Sequence, residues 1–112
     1  MGEEAKFKLD AELRFKISAR RNKMLGHWAA ERLGLSADEI DGYAKEVIVS
    51  DLKEPGTGDV LEKLMADFKA RNIEVTQSEV RAAIKKFQAT AYKEIALEFP
   101  GALGAGHEGL EG

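Results

Sequence analysis

The segment Leu33-Gly34-Leu35-Ser36-Ala37-Asp38-Glu39-Ile40 predicts where one helix ends and the next begins. Gly34 can adopt the left-handed conformation that closes a helix, with Leu35 folding back as its hydrophobic contact. Ser36 and Glu39 form a capping box, in which each side chain satisfies the backbone N–H of the other residue. The segment therefore predicts two helices joined by a short connection.

The same signals recur along the chain. Asp59 with Glu62 and Thr76 with Glu79 predict the starts of a third and a fourth helix. Three stop signals complete the pattern: Glu54-Pro55-Gly56-Thr57-Gly58, Asn72, and Phe99-Pro100-Gly101. Each later segment carries an apolar face at helical spacing: Ile40, Tyr43, Ala44 and Val47; Val60 or Leu61, Leu64, Met65 and Phe68; Val80, Ala83, Ile84, Phe87, Ala91 and Ile95. The sequence predicts an all-α, antiparallel four-helix bundle.

The first helix is predicted to be the longest. It can run from about Glu4 to Leu33, roughly 45 Å at 1.5 Å per residue, whereas the other three look shorter, at about 18, 13 and 23 residues. We therefore expect a mobile N-terminal arm at 1–15, which buries little apolar surface, and a four-helix domain at 16–99. A disordered tail is expected at 100–112, because five glycines lie in 101–112.

Charge is distributed unevenly in this chain of 112 residues with net charge −3. Residues 1–33 carry a net charge of +3 and residues 34–112 a net charge of −6. The stretch from Arg14 to Lys23 holds five basic side chains and no acidic one. This asymmetry suits an arm that meets an acidic protein surface, although a solvated helix face is the simpler reading. It does not suit a nucleic-acid-binding domain.

Three residues within this basic stretch or just after it have more than one reading. Arg20 and Asn22 interrupt apolar lines, so they either join an internal network or mark where the helix leaves its own core; Arg20 can also reach the edge. Trp28, the only Trp, is expected to be partly buried between the first helix and the body. With Arg20, Arg21 and Lys23, it could also hold a purine nucleotide such as ATP or ADP weakly.

Nothing in the sequence predicts catalysis, so we expect no enzyme, no metal and no cofactor. The chain has no Cys, and His27 and His107 do not form a ligand pair. Two carboxylate pairs could in principle act in catalysis, but their positions on exposed helix faces are typical of solvated charge: Asp38 with Asp41, and Glu94 with Glu98. No apolar run approaches the roughly 18 residues of a membrane span, and the acidic N-terminus lacks the apolar segment of a secretory signal.

Nine pieces of the chain carry a family resemblance within residues 3–99: Glu4-Ala5-Lys6-Phe7, Asp10-Ala11-Glu12, Phe15-Lys16, Ala19-Arg20-Arg21-Asn22-Lys23, Leu25-Gly26, Trp28-Ala29-Ala30, Leu33-Gly34, Tyr43-Ala44-Lys45-Glu46-Val47 and Glu54-Pro55-Gly56. They resemble the zeta subunit of alphaproteobacterial F1F0-ATP synthases. The run from Ala19 to Ala30 is the most specific, since its order and spacing both match.

The resemblance implies a regulatory subunit that performs no chemistry. Members bind the F1 sector and block ATP hydrolysis, with an arm that becomes helical in a catalytic α/β interface and meets the γ shaft. The arm residues expected to contact F1 are Lys6, Phe7, Lys8, Leu9, Leu13, Arg14 and Lys16. The free protein is expected to be a cytoplasmic monomer that reaches the inner membrane peripherally through F1.

One departure from the family pattern changes what is expected of the arm. Members usually carry a further polar stretch, whereas only Met1-Gly2-Glu3 precedes Glu4 here. We therefore expect binding to F1 to be retained better than inhibition. Two other functions remain open at this point: a small helical domain that binds a purine nucleotide weakly, and a generic helical adaptor.

Overall fold

The computed structural model describes residues 11–53 and 57–99. Within those ranges the chain forms four helices and no strand: α1 (Ala11–Leu33), α2 (Ala37–Lys53), α3 (Thr57–Ala70) and α4 (Gln77–Glu98). The all-α prediction is confirmed, and Val47-Ile48-Val49, the most strand-like triplet of the sequence, lies within α2. The predicted helical residues before Ala11, the turn at 54–56 and the tail at 100–112 lie outside the described residues.

The connection from α1 to α2 has the predicted geometry. Gly34 has φ of 76°, and its N–H donates to the Glu31 carbonyl at 3.1 Å while the Leu35 N–H donates to the Ala30 carbonyl at 3.0 Å. These are the two bonds of a Schellman motif. The Glu39 carboxylate then accepts from the Ser36 backbone N–H at 2.9 Å, which is one half of the predicted capping box, so α1 and α2 are joined by a tight corner.

A second tight corner joins α3 to α4. Asn72 takes the left-handed conformation, with φ of 59°, and the Ile73 N–H donates to the Phe68 carbonyl at 2.9 Å. Both halves of the capping box between Thr76 and Glu79 are present. The predicted stop at Asn72 and start at Thr76 are therefore confirmed.

The predicted start of α3 is wrong by nearly one turn. The helix begins at Thr57, so Thr57 and Gly58 belong to α3 and not to the turn, and Asp59 lies in its first turn instead of capping it. The Asp59 carboxylate accepts from the Ser50 hydroxyl of α2 at 3.0 Å. A neighbouring helix therefore supplies its partner, an interaction that no local signal in the sequence encodes.

The core consists of two clusters. The larger one brings together residues of all four helices and includes Leu25, Val47, Phe68 and Val80, each at most 1% exposed. The smaller one joins the first turns of α1 to the end of α4: Leu13, Ile17, Ala91 and Ile95. The helix α1 is the common element, because it packs most extensively against both α2 and α4.

The smaller cluster bears directly on the predicted arm. Leu13 is 5% and Ile17 is 3% exposed, and both pack against α4. Because α4 has 22 residues, nearly as many as the 23 of α1, it covers α1 as far as its first described turn. The expectation that the shorter helices leave this part of α1 uncovered is therefore wrong at Leu13. The mobility predicted for residues 1–10 lies outside the described residues.

A polar contact ties α3 to α2 beside the larger cluster. Lys63 Nζ lies 3.1 Å from the Glu46 carboxylate and 3.0 Å from the Asp67 carboxylate. The Tyr43 hydroxyl donates to Asp67 at 2.6 Å. Burial and the hydrogen bond to Asp67 raise the pKa of Tyr43, so the phenol stays protonated.

Candidate functional site: the basic segment of the first helix

The cations of the basic segment, residues 14–23, point in several directions instead of forming one face. Arg21 is buried, Arg20 is half-buried, and Arg14 and Lys23 are exposed. Lys16 lies 3.6 Å from Glu12 on its own helix and 5.7 Å from the centre of the Phe99 ring. Some cations of the segment therefore pack within the bundle, and others lie on its surface.

Arg21 and Asn22 form a buried polar network with α2. Asn22 is fully buried, Arg21 is 6% exposed and Asp51 is 9% exposed. One oxygen of the Asp51 carboxylate accepts from Arg21 Nη2 at 3.2 Å and from Asn22 Nδ2 at 3.0 Å. Arg21 Nε donates to Asn22 Oδ1 at 2.9 Å. Of the two readings of Asn22, an internal network or the point where the helix leaves its own core, the structure supports the internal network.

The same network reaches α4, because Arg21 Nη1 donates to Gln88 Oε1 at 3.0 Å. Burial lowers the pKa of Arg21, and the charge of Asp51 acts against that effect. A guanidinium titrates so far above neutral pH that Arg21 remains charged. Arg21 therefore fixes α1 relative to α2 through Asp51 and relative to α4 through Gln88.

Arg20 makes a second, more exposed contact with α4. Its Nη1 lies 2.5 Å and its Nη2 3.0 Å from the two oxygens of Glu98, while Nη1 is also 3.3 Å from Glu94. Glu98 is the last residue of α4, where a carboxylate opposes the helix dipole. The forked pair with Arg20 offsets that cost and lowers the pKa of Glu98. Arg20 thus lies at the edge of the helix pair.

Three of the seven predicted F1-contacting residues lie in the described part of the chain. Arg14 is exposed and Lys16 is half-buried, so both are available at the surface. Leu13 is not, because it belongs to the core between α1 and α4. The other four, Lys6, Phe7, Lys8 and Leu9, lie outside the described residues.

Trp28 is partly buried, as predicted, but its neighbours are not those of a nucleotide site. Its ring meets Phe68 of α3 edge-on at 6.0 Å, and the Arg32 guanidinium lies 4.6 Å from its centre. Lys23 and Trp28 border a shallow depression of about 390 Å³, whereas Arg20 and Arg21 do not line it. The structure does not bring the four predicted nucleotide-binding residues together, because both arginines are held by carboxylates elsewhere.

The described residues contain none of the other sites considered. No group of three or more His, Asp or Glu side chains among residues 11–53 and 57–99 is placed to hold a metal ion. No helix in the same ranges is both long and apolar enough to cross a membrane. Of the carboxylate pairs predicted to be solvated, Glu94 and Glu98 stay about half exposed but bind Arg20.

The partners of the basic segment were not predicted from the sequence. Asp51 and Gln88 lie 30 and 67 residues from Arg21, and no local pattern distinguishes them from other polar helix residues. The usable signal is that Arg20 and Asn22 interrupt apolar lines, which indicates polar partners on neighbouring helices. Identifying those partners requires the packing of α1 between α2 and α4.

Two comparisons with known proteins found a match. The family model described as ATPase inhibitor subunit zeta matches residues 1–94. A protein whose structure was solved by solution NMR is 40% identical, covers 77% of this chain and 98% of its own, and superposes with a TM-score of 0.66. Among curated proteins, none matches the chain.

Proposed function

Since the chain belongs to the ATPase inhibitor subunit zeta family, we propose that it binds the F1 sector of an ATP synthase and blocks ATP hydrolysis with its N-terminal arm. The arm comprises residues 1–10 and continues into α1. It inserts between an α and a β subunit and meets the γ shaft, while the bundle stays outside. The protein performs no chemistry and acts as a mechanical block to rotation.

The observation that carries this proposal is that α1 is held firmly in the bundle directly after the segment proposed as the arm. The helix is fixed within the bundle by Leu13 and Ile17 in the core and by Arg21 in the buried network. Any force on residues just before Ala11 is therefore transmitted to a body braced by several helices. A wedge needs such a support, because an arm on a loosely attached helix would yield to the rotating shaft.

The surface at the beginning of α1 supports the same proposal. Phe15 is 48% exposed although it is a large apolar residue, and the exposed Arg14 lies beside it. Exposed aromatic and Arg side chains are the residue types that most often anchor protein interfaces. The arm would thus enter F1 with a contact surface that continues onto the bundle. In the free state, the protein is a cytoplasmic monomer, and F1 brings it to the inner membrane.

ATP hydrolysis by cognate F1, measured with the full-length chain, tests the arm. The variant Phe7→Gln/Leu9→Gln removes the two large apolar side chains of the arm and should lose most inhibition. Val49→Gln is the matched control, because Val49 is 48% exposed on α2, away from the beginning of α1, and it should inhibit like the parent. Equal inhibition by all three chains would show that the arm is not the inhibitor.

Binding is measured in parallel by immobilising F1 and titrating each chain. A parent chain that neither binds nor inhibits would overturn the whole proposal. A parent that binds F1 without inhibiting it would leave the partner in place and overturn the wedge. Inhibition lost only in the arm variant, with its circular dichroism spectrum unchanged, is the expected result.

A further inference from the structure

A second surface of the bundle extends from Arg14, at the beginning of α1, along α4. An open groove of about 680 Å³ runs between α1 and α4, with the beginning of α3 as its third wall. Its apolar lining includes Leu61, Ile84 and Tyr92, and its basic lining includes Arg14, Arg81 and Lys85. Tyr92 is 41% exposed, so part of this apolar surface faces solvent. We call this feature the α1/α4 groove.

Three cations of the groove, Arg14, Arg81 and Lys85, have no carboxylate partner among the described residues, whereas a fourth, Arg21, is paired with Asp51. Among the residues that the structure describes, Arg14, Arg81 and Lys85 form no ion pair, and no Asp or Glu lines the groove. Arg81 donates only to the neutral Gln77, at 3.3 Å. By contrast, Arg20, Arg21 and Lys63 each bind a carboxylate on another helix. What distinguishes Arg14, Arg81 and Lys85 is that all three line one groove with an apolar floor.

The length of the groove limits what can fill it. Lys85 and Arg81 precede Tyr92 by seven and eleven residues of α4, which is about 10 Å and 16 Å at 1.5 Å per residue. Arg14 lies at the Tyr92 end, because Ile17, one turn further along α1, packs against Ala91 and Ile95. One small anion cannot bridge cations at both ends. A helix of two to three turns can, with carboxylates near its ends and an apolar face between them.

The base of the groove is held in place by contacts already described. Arg21 and Gln88 both line it, and they are hydrogen-bonded to each other at 3.0 Å. Ile84 belongs to the larger core cluster. Because these side chains are fixed before any partner arrives, little ordering of the base is needed on binding.

We propose that the α1/α4 groove binds an acidic amphipathic helix of the F1 assembly; this rests on the proposed function, which makes F1 the partner. The apolar face of that helix packs on Leu61, Ile84 and Tyr92. Its carboxylates pair with Arg14 at one end and with Arg81 and Lys85 at the other. The bundle is thereby positioned on the outside of F1, and the arm is directed by it.

The test reverses charge in the full-length chain. Arg81→Glu/Lys85→Glu places two carboxylates at one end of the groove, and Lys45→Glu/Lys93→Glu makes the same change of net charge at two exposed lysines outside it. Affinity for cognate F1 is measured at several salt concentrations, with circular dichroism to confirm folding. The groove variant should bind about tenfold more weakly or worse and should lose part of the salt dependence. The control should bind like the parent.

Three outcomes would overturn this inference while leaving the proposed function standing, provided the parent chain binds and inhibits F1. In the first, the groove variant binds F1 like the parent. In the second, the control loses as much affinity as the groove variant, which would mean that only net charge matters. In the third, the parent self-associates in sedimentation, the groove variant does not, and affinity for F1 is unchanged; the occupant would then be a second copy of the chain. A parent that does not bind F1 overturns both proposals.

Discussion

Gly26 of α1 and Ala44 of α2 approach each other so closely that their backbones are nearly in contact. A Cβ atom added to Gly26 would lie 2.6 Å from the Ala44 Cα and 3.0 Å from its Cβ. Only a residue without a side chain permits this approach in the middle of α1. The close approach brings α2 against α1 one turn from Asn22, which lets Asn22 and Arg21 reach Asp51.

Replacing Gly26 with Ala should lower the free energy of unfolding, although Ala is the better helix former. The added methyl group meets backbone, which cannot move aside as the end of a flexible side chain could, so we expect a loss of about 1–3 kcal/mol. Urea unfolding followed by circular dichroism measures it. Gly42→Ala is the matched control: nothing lies within 4 Å of its added Cβ, and helix propensity should stabilise it by about 0.5–1 kcal/mol. If Gly26→Ala is also stabilising, the two helices are not packed this tightly.

Removing the Asp51 carboxylate should be strongly destabilising. Asp51→Ala leaves Arg21 charged and buried without its counter-ion, and breaking a buried pair in this way typically costs about 3–5 kcal/mol. Urea unfolding again provides the measurement. Asp41→Ala on the same helix, whose side chain is 81% exposed, should change stability by no more than about 0.5 kcal/mol. Similar losses for the two variants would mean that the network contributes little to stability.

The contrast between Asp51 and Asp41 also shows which features of the fold could be predicted from the sequence and which could not. Both are acidic residues of α2, and nothing nearby in the chain distinguishes them. Local signals predicted the helices and the corners at Gly34 and Thr76, because capping depends on residues a few positions apart. They failed where the deciding partner lies on another helix, as at Asp59, and they could not show that Leu13 is in the core, because that depends on how far α4 extends beside α1.

Glu98 should make the stability of the bundle depend on acidity. The hydrogen bond from Arg20 lowers the pKa of Glu98 in the folded protein, and the usual value of a glutamate is about 4.3. The stabilisation is therefore present above that pH and is lost as the pH falls through the folded pKa. We expect Glu98→Gln to lower the melting temperature near neutral pH and to match the parent at the acidic end of the titration. Glu74→Gln, which changes the same charge at an exposed site, should show no such pH-dependent difference.

Leu13 provides the sharpest test of where the arm ends and the bundle begins. Its side chain is 5% exposed and packs in the smaller cluster with Ile17, Ala91 and Ile95. Leu13→Ala should therefore lower the free energy of unfolding of the free protein by about 2–5 kcal/mol.

The control substitution, Phe15→Ala, lies in α1 as Leu13 does. Phe15→Ala removes a larger side chain from the surface, 48% exposed, and should cost less than about 1 kcal/mol. If Leu13 belonged to the arm instead, Leu13→Ala would leave unfolding unchanged and weaken only the affinity for F1. The expected result assigns Leu13 to the bundle, so an arm deletion that spares the fold must stop before it. Deleting residues 1–10 should then abolish inhibition with little change in stability, whereas deleting residues 1–15 should impair both.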